Sequence, residues 1–292
     1  MTYSIVARDP DTGEMGVAVQ SHWFSVGSIV SWAEPGVGAV ATQSIAEPAY
    51  GPRLLERLRA GESPSAALRA LLDADEKAAV RQVAVVDASG AAAVHTGESC
   101  IPFAGHVEGD GFTAQANMMT AAEVWPAMAE TFKGAEGPLA RRLFAALEAA
   151  EAAGGDVRGR QSAALLVVPS EGAAWQRSVD LRVEDDPDPL AELGRLLDLQ
   201  EAYDLANRAD ELGSSGRHEE AAQSFIRAME LAPDNPELLF WGGLGLAQED
   251  PEAGSGLVGR AIEIHPGWRE LLARLDPAIA PAADAVRQRL LD

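Results

Sequence analysis

Through the first 183 residues, short runs of β-branched and apolar positions alternate with helical patterns. Such runs recur from Thr2 to Ala7 and from Gly16 to Gln20. Between them lies Asp9-Pro10-Asp11-Thr12-Gly13, a cluster of bend-forming residues. The pattern predicts a hairpin at the start of the chain. Val37–Gln43 predicts a third strand, introduced by Glu34-Pro35-Gly36. Gln82–Asp87 and Ala91–His95 flank Ala88-Ser89-Gly90 and predict another hairpin, and Phe112–Asn117 reads as a strand. Ser162–Val168 is almost wholly apolar, as in a strand buried on both faces, and the alternating Trp175–Val183 would pair beside it. Helices are predicted at Arg53–Ala60, Pro64–Ala74, Ala121–Phe132 and Pro138–Ala153. Ser63 before Pro64 is a plausible N-cap with proline in the first turn. Hairpins at both ends with helix pairs between them predict stacked sheets covered by helices, in an α+β fold, rather than an alternating βαβ order.

Asp185-Asp186-Pro187-Asp188-Pro189 is a charged, proline-broken link. It divides the chain into an expected sheet domain over residues 1–189 and an all-helical one over 190–292. In the tail, Gly216, Ala221, Phe225, Ala228 and Pro233 stand at tetratricopeptide-like spacings, with Leu205, Ala209 and Leu212 before them. A weaker unit follows, with Trp241, Gly242, Leu246, Ala261 and Pro266. About three such repeats are needed for stability, so the tail is expected to pack on the first domain or on a second subunit.

Composition narrows the function classes. The 292 residues are 47% hydrophobic and 23% charged, as in ordinary globular proteins. Lys+Arg total 23 against 45 Asp+Glu, a formal net charge of −22. A surface this acidic repels phosphate backbones and anionic lipid, which argues against nucleic-acid and membrane partners. No apolar run approaches the roughly 20 residues of a membrane-spanning helix. No signal segment opens the chain, so a cytoplasmic protein is expected. The single cysteine, Cys100, excludes an internal disulfide framework. His22, His95, His106, His218 and His265 show no ligand spacing, so neither a metal nor another cofactor is expected.

Several segments in order carry a family resemblance. They are Thr2 to Asp9, Gly16 to Ser21, Val26-Gly27-Ser28, Gly36 to Gln43, Tyr50-Gly51-Pro52 and Gly154 to Leu165. Over roughly Thr2 to Leu196 the chain resembles the domain-of-unknown-function 1028 family. That family looks like a branch of the N-terminal nucleophile hydrolases. The resemblance implies a four-layer αββα sandwich, two antiparallel sheets between helix layers, here with a tetratricopeptide-like tail. It supplies no reaction or substrate.

Thr2 becomes the N-terminal residue once Met1 is removed. Its hydroxyl would be a nucleophile and its own α-amine, with an ordinary pKa of about 8, the base. The plain alternative is a threonine that opens a β-strand. Ser4 faces the same way as Thr2, either lining a site or bonding within the strand. Gln20, Ser21 and His22 close the second strand, which the hairpin returns to the level of Thr2. They form a candidate binding edge, although His22, before Trp23-Phe24, is equally a structural histidine. Ser28 stands where asparaginase-type N-terminal nucleophile hydrolases carry an aspartate that holds the substrate amine. This puts that amide specificity in doubt. Asn117 is a candidate oxyanion-hole donor or a strand-end turn former, and Gln43 has similar standing. Asp156, Arg158, Arg160 and Gln161 precede the buried strand. The two arginines either hold a substrate carboxylate or lock Asp156.

Two functions are expected from these residues. One is a homo-oligomeric amide-bond hydrolase working through Thr2 on a small amide or peptide-like substrate. The other is a non-catalytic binding protein whose helical tail docks a protein partner or a second copy.

Overall fold

The computed structural model describes residues 2–291. The chain divides into two compact units, Met1–Gly194 and Arg195–Asp292.

The first unit holds two antiparallel sheets. Strands β1 (Thr2–Arg8) and β2 (Met15–Ser21) form the predicted N-terminal hairpin. Asp9 shapes its turn, since one carboxylate oxygen accepts the N–H groups of Asp11 and Thr12, each at 2.9 Å. A short helix α1 (Gly27–Val30) leads to β3 (Ser31–Glu34) and β4 (Gly38–Ser44). Helices α2 (Tyr50–Arg59) and α3 (Pro64–Asp73) follow. The Ser63 hydroxyl caps α3 by accepting from the Ala66 N–H, an arrangement generally worth about 1 kcal/mol. Then come β5 (Arg81–Asp87), β6 (Ala92–Thr96), β7 (Gly105–Gly109) and β8 (Phe112–Asn117). Helices α4 (Val124–Gly134) and α5 (Leu139–Ala152) precede β9 (Ser162–Val168) and β10 (Val179–Val183).

One sheet runs β10-β9-β2-β1-β8-β7 and the other β3-β4-β5-β6. Helices α4 and α5 cover the first sheet, while α2 and α3 cover the second. The result is a four-layer sandwich, helix–sheet–sheet–helix. Strand β1 is central in its sheet and covered on both faces, so Thr2 through Ala7 are buried throughout. Val6, Val17, Val19, Ala39, Ala41 and Val86 belong to the core between the sheets. Tyr50, Leu54 and Leu68 pack with Val40, Val83 and Val85 on the far face of the second sheet.

The second unit is helical. It contains most of α6 (Pro189–Ser214), then α7 (His218–Leu231), α8 (Pro236–Leu246), α9 (Pro251–Ile264), α10 (Gly267–Arg274) and α11 (Ala283–Leu290). Asn235 and Asp250 cap α8 and α9 through their side-chain oxygens, each ahead of a proline. Ala209 and Leu212 of α6 meet Ala221 and Phe225 of α7. Phe240, Leu244, Val258, Ala261 and Leu272 form the larger core of this unit. Among the described residues no helix is long and apolar enough to cross a membrane.

Candidate active site

Antiparallel register brings three strand ends together. Thr2 pairs with Ser21 on one side and with Asn117 on the other. The second sheet ends at the same level, where Gln43 pairs with Gln82 and Gln82 with Thr96. The period-two rule then fixes which side chains meet. Val6, Val17, Val19, Ala41, Ala84 and Leu166 point into the space between the sheets. Residues two or four positions along the same strands share that face. Thr2, Ser4, Ser21, Gln43, Gln82 and Ser162 therefore point inward as well.

These groups are buried and bonded to one another. Thr2 is 3% exposed, and its hydroxyl donates to the Ser21 hydroxyl at 3.1 Å. The Thr2 carbonyl accepts from Asn117 Nδ2 and from Gln43 Nε2, each at 3.3 Å. Gln82 Oε1 accepts from those same two amides, at 2.9 Å from Asn117 and 2.8 Å from Gln43. Gln82 Nε2 donates to the Ala116 carbonyl and the Thr96 hydroxyl, both at 2.9 Å, and to the Gly105 carbonyl at 3.2 Å. Ser4 donates to Gln43 Oε1 and accepts from Gln115 Nε2, both at 2.7 Å. Among the described residues, Asn117 Oδ1 and Gln115 Oε1 remain buried without a hydrogen-bond partner.

Backbone strain sits beside this cluster. Ser44 and Met118, the residues directly after Gln43 and Asn117, have φ of 73° and 58°. A non-glycine residue in the left-handed region costs energy, and such residues gather at functional sites.

The other residues singled out in the sequence fall into three groups. Gln20 alternates with Val19 and Ser21 and shares the face of Tyr3, the side covered by helices. It is fully buried, and among the described residues neither amide atom has a partner. On that side the Tyr3 hydroxyl donates to Glu151 at 2.8 Å. Burial first, then the Glu151 charge, raises the Tyr3 pKa well above its ordinary value. Asp156 takes the backbone N–H of His22 at 3.3 Å and binds Arg158 at 2.8 Å. Arg160 pairs with Asp188 at 2.9 Å and Glu151 at 3.5 Å, and its carbonyl meets His22 Nδ1 at 3.2 Å. The third group faces other partners: Gln161 donates to Asp185, and Ser28 to the Ser25 carbonyl in its own turn.

Gln82 carries no mark in the linear pattern, because it opens a run of valines and alanines that reads as an ordinary strand. The available signal was parity. An amide on the inward face of a buried strand needs partners across the sheets. Among the described residues, no three or more His, Cys, Asp or Glu side chains gather as metal ligands.

Residues 2–193 match the model of a "Family of unknown function (DUF1028)". A solved structure, protein SPO2555 from Silicibacter pomeroyi, is described as family-model DUF1028. It is 34% identical, covers 67% of this chain and 87% of its own, and superposes with a TM-score of 0.62. The ancestral β-subunit Anbu from Yersinia bercovieri is 10% identical, with a TM-score of 0.35 over 66% of this chain and 91% of its own. No curated protein matches the chain. The helical unit from Arg195 onward lies outside the matched residues.

Proposed function

The chain belongs to the DUF1028 family, a family of unknown function, and we propose that this member is an amide-bond hydrolase of the N-terminal nucleophile type. Thr2, made N-terminal by removal of Met1, is the nucleophile. Its hydroxyl oxygen bonds to the carbonyl carbon of the substrate while its α-amine takes the hydroxyl proton. The tetrahedral adduct collapses, the C–N bond breaks, and the leaving amine departs with that proton. Water then attacks the acyl ester on Thr2, again with the amine as base, and releases the acid.

The observation that carries this reading is the hold on Thr2. Ser21 fixes its hydroxyl, while Asn117 and Gln43 fix its carbonyl. Both hydrogens of the Asn117 amide are engaged, by Thr2 and by Gln82. Asn117 thus acts as a positioning residue, and backbone N–H groups serve the oxyanion. The two-sheet sandwich between helix layers is also the architecture that likeness to these hydrolases implies. The enzyme is taken to act in the cytoplasm on a small amide or peptide-like substrate.

The test pairs intact-mass measurement with a panel of small amides, cyclic ureas and acyl-peptides. The protein should lack the mass of one methionine. Thr2→Ala should lose roughly 1,000-fold or more in turnover while unfolding at the parent temperature. Retained Met1, or parent-level turnover in Thr2→Ala, overturns the mechanism.

One observation favours a second role for the tail. Ile226, Ile264 and Ile279 are exposed in the helical unit. A protein partner or second copy that requires residues 200–292, together with retained Met1, would favour a binding protein over an enzyme.

A further inference from the structure

A cleft of about 550 Å³ opens at the β6–β7 edge of the first unit. Thr96, Glu98, Cys100, Gly105, His106 and Trp125 stand in its wall. Register puts this wall level with Thr2. Gly105 pairs with Ala116, and Ala116 with Tyr3. Thr96 pairs with Gln82, and Gln82 with Gln43. Gly105 is two strands from β1 and Thr96 two strands from β4, roughly 10 Å in each case. Gln82 joins the two places, bonding Asn117 and Gln43 with its oxygen and Thr96 and Gly105 with its nitrogen.

The charge in the wall has one sign. Glu98 is exposed, and among the described residues it forms no hydrogen bond or ion pair. The Cys100 thiol is occupied with the Arg81 carbonyl at 3.4 Å. His106 Nδ1 lies 2.8 Å from the Thr96 hydroxyl. Partial burial pushes the imidazole below its ordinary pKa, His95 pushes the same way and Glu108 opposes them. That shift disfavours the positively charged form of the ring. The Trp125 indole lies against Gly105, where a Cβ would come within 2.5 Å of the ring. Glycine at 105 is what lets an aromatic surface form this part of the wall.

A free carboxylate and an indole in the wall of one cleft suit an organic cation, which gains from both the opposite charge and the ring's π-face. The chain's net charge of −22 also draws cations toward it. We infer that this cleft binds a positively charged group, an alkylammonium or guanidinium, with Glu98 as its counter-charge and Trp125 as its aromatic face. Resting on the reading of Thr2 as nucleophile, the inference makes the substrate an amide with a basic side chain.

Calorimetry on the full chain at pH 7 and low salt tests it, with benzylammonium and its neutral counterpart benzyl alcohol as probes. Benzylammonium should bind at least about tenfold more tightly. Glu98→Gln should erase that preference, and Trp125→Leu should weaken both ligands. Equal binding of the two probes, absence of binding, or a preference that survives Glu98→Gln overturns the inference. Thr2→Ala should leave the preference intact, because the cleft recognises charge without chemistry. A Thr2→Ala protein that still turns over substrate sinks the nucleophile reading alone. With amide substrates, Glu98→Gln should raise KM for basic ones about tenfold and leave kcat and the neutral ones unchanged.

Discussion

The two ends of the sandwich interior are built from the same strands and filled with opposite chemistry. Toward the β1–β2 turn the inward residues are Val6, Met15, Val17, Val86 and Val168, a dry apolar core. Toward the start of β1 the inward positions become Thr2, Ser4, Ser21, Gln43, Gln82 and Ser162, all buried. The change occurs within single strands. Strand β1 reads Thr2, Ser4, Val6 along its inward face, and β5 reads Gln82, Ala84, Val86. Folding alone does not need this. Buried amides stabilise only when every donor and acceptor is matched, and among the described residues Asn117 Oδ1 and Gln115 Oε1 are not. An apolar end would serve the fold at least as well. Local rules are broken where a protein holds something for use, and here what is held is the first residue of β1.

The contrast makes the apolar end purely structural, and its test has the largest expected effect. Met15→Ala opens a cavity beneath fully buried neighbours and should cost about 2–5 kcal/mol in denaturant unfolding. Turnover per folded molecule should stay at the parent value. Lost turnover in the folded fraction would show that both ends serve the reaction and dissolve the distinction.

At the polar end stability and function should move together. Gln82→Met keeps the side-chain length and removes the acceptor shared by Asn117 and Gln43. It also removes the donor to Ala116, Gly105 and Thr96. Leaving such buried groups unmatched should cost about 1–3 kcal/mol. Because Asn117 and Gln43 also hold the Thr2 carbonyl, kcat should fall by up to about 100-fold with KM little changed. An apolar substitution that stabilises the protein and leaves kcat alone would make the amide cluster a relic of packing.

Much of this architecture can be read from the chain, and the exceptions have physical causes. Phe112–Asn117 and Ser162–Val168 are strands over the expected residues, and each is buried along its length. The hairpin also predicts that Ser21 returns to Thr2, since turn position and period two fix the register. Strand β3 escaped because it spans only four residues, and β7 because Val107 is its one apolar side chain. β7 is moreover bounded by Gly105 and Gly109, residues of poor strand propensity. Pairing with β4 and β8, rather than local preference, makes them strands. Pro52, a residue of poor helix propensity, hid the start of α2, which begins at Tyr50 rather than Arg53. The amide cluster escaped for another reason. Gln82 meets Asn117 and Gln43 across sequence separations of 35 and 39 residues, and no local pattern encodes a contact between sheets.

Acid separates the two ends most finely. The amide cluster consists of Gln, Asn, Ser and Thr side chains, which carry no charge at any ordinary pH. The turn end carries Asp9, which bonds Arg142 at 3.0 Å. Burial alone would raise the Asp9 pKa, but the N–H groups of Thr12 and Asp11 and the Arg142 charge outweigh it and hold the carboxyl below its ordinary value. The unfolded chain therefore binds this proton more readily than the folded one, and stability rises with pH through the acid range. The contribution of Asp9 is complete above the unfolded carboxyl pKa of about 3.9 and is lost as the pH falls through the folded value. Asp9→Asn should thus melt below the parent protein at pH 7, and the gap should narrow steadily toward pH 2. Gln82→Met, compared in the same way, should lie below the parent protein by a margin that does not close as the carboxyl groups titrate. A Gln82→Met gap that closes in acid, or an Asp9→Asn gap that does not, would mean that the charge-dependent part of the stability does not lie at the turn.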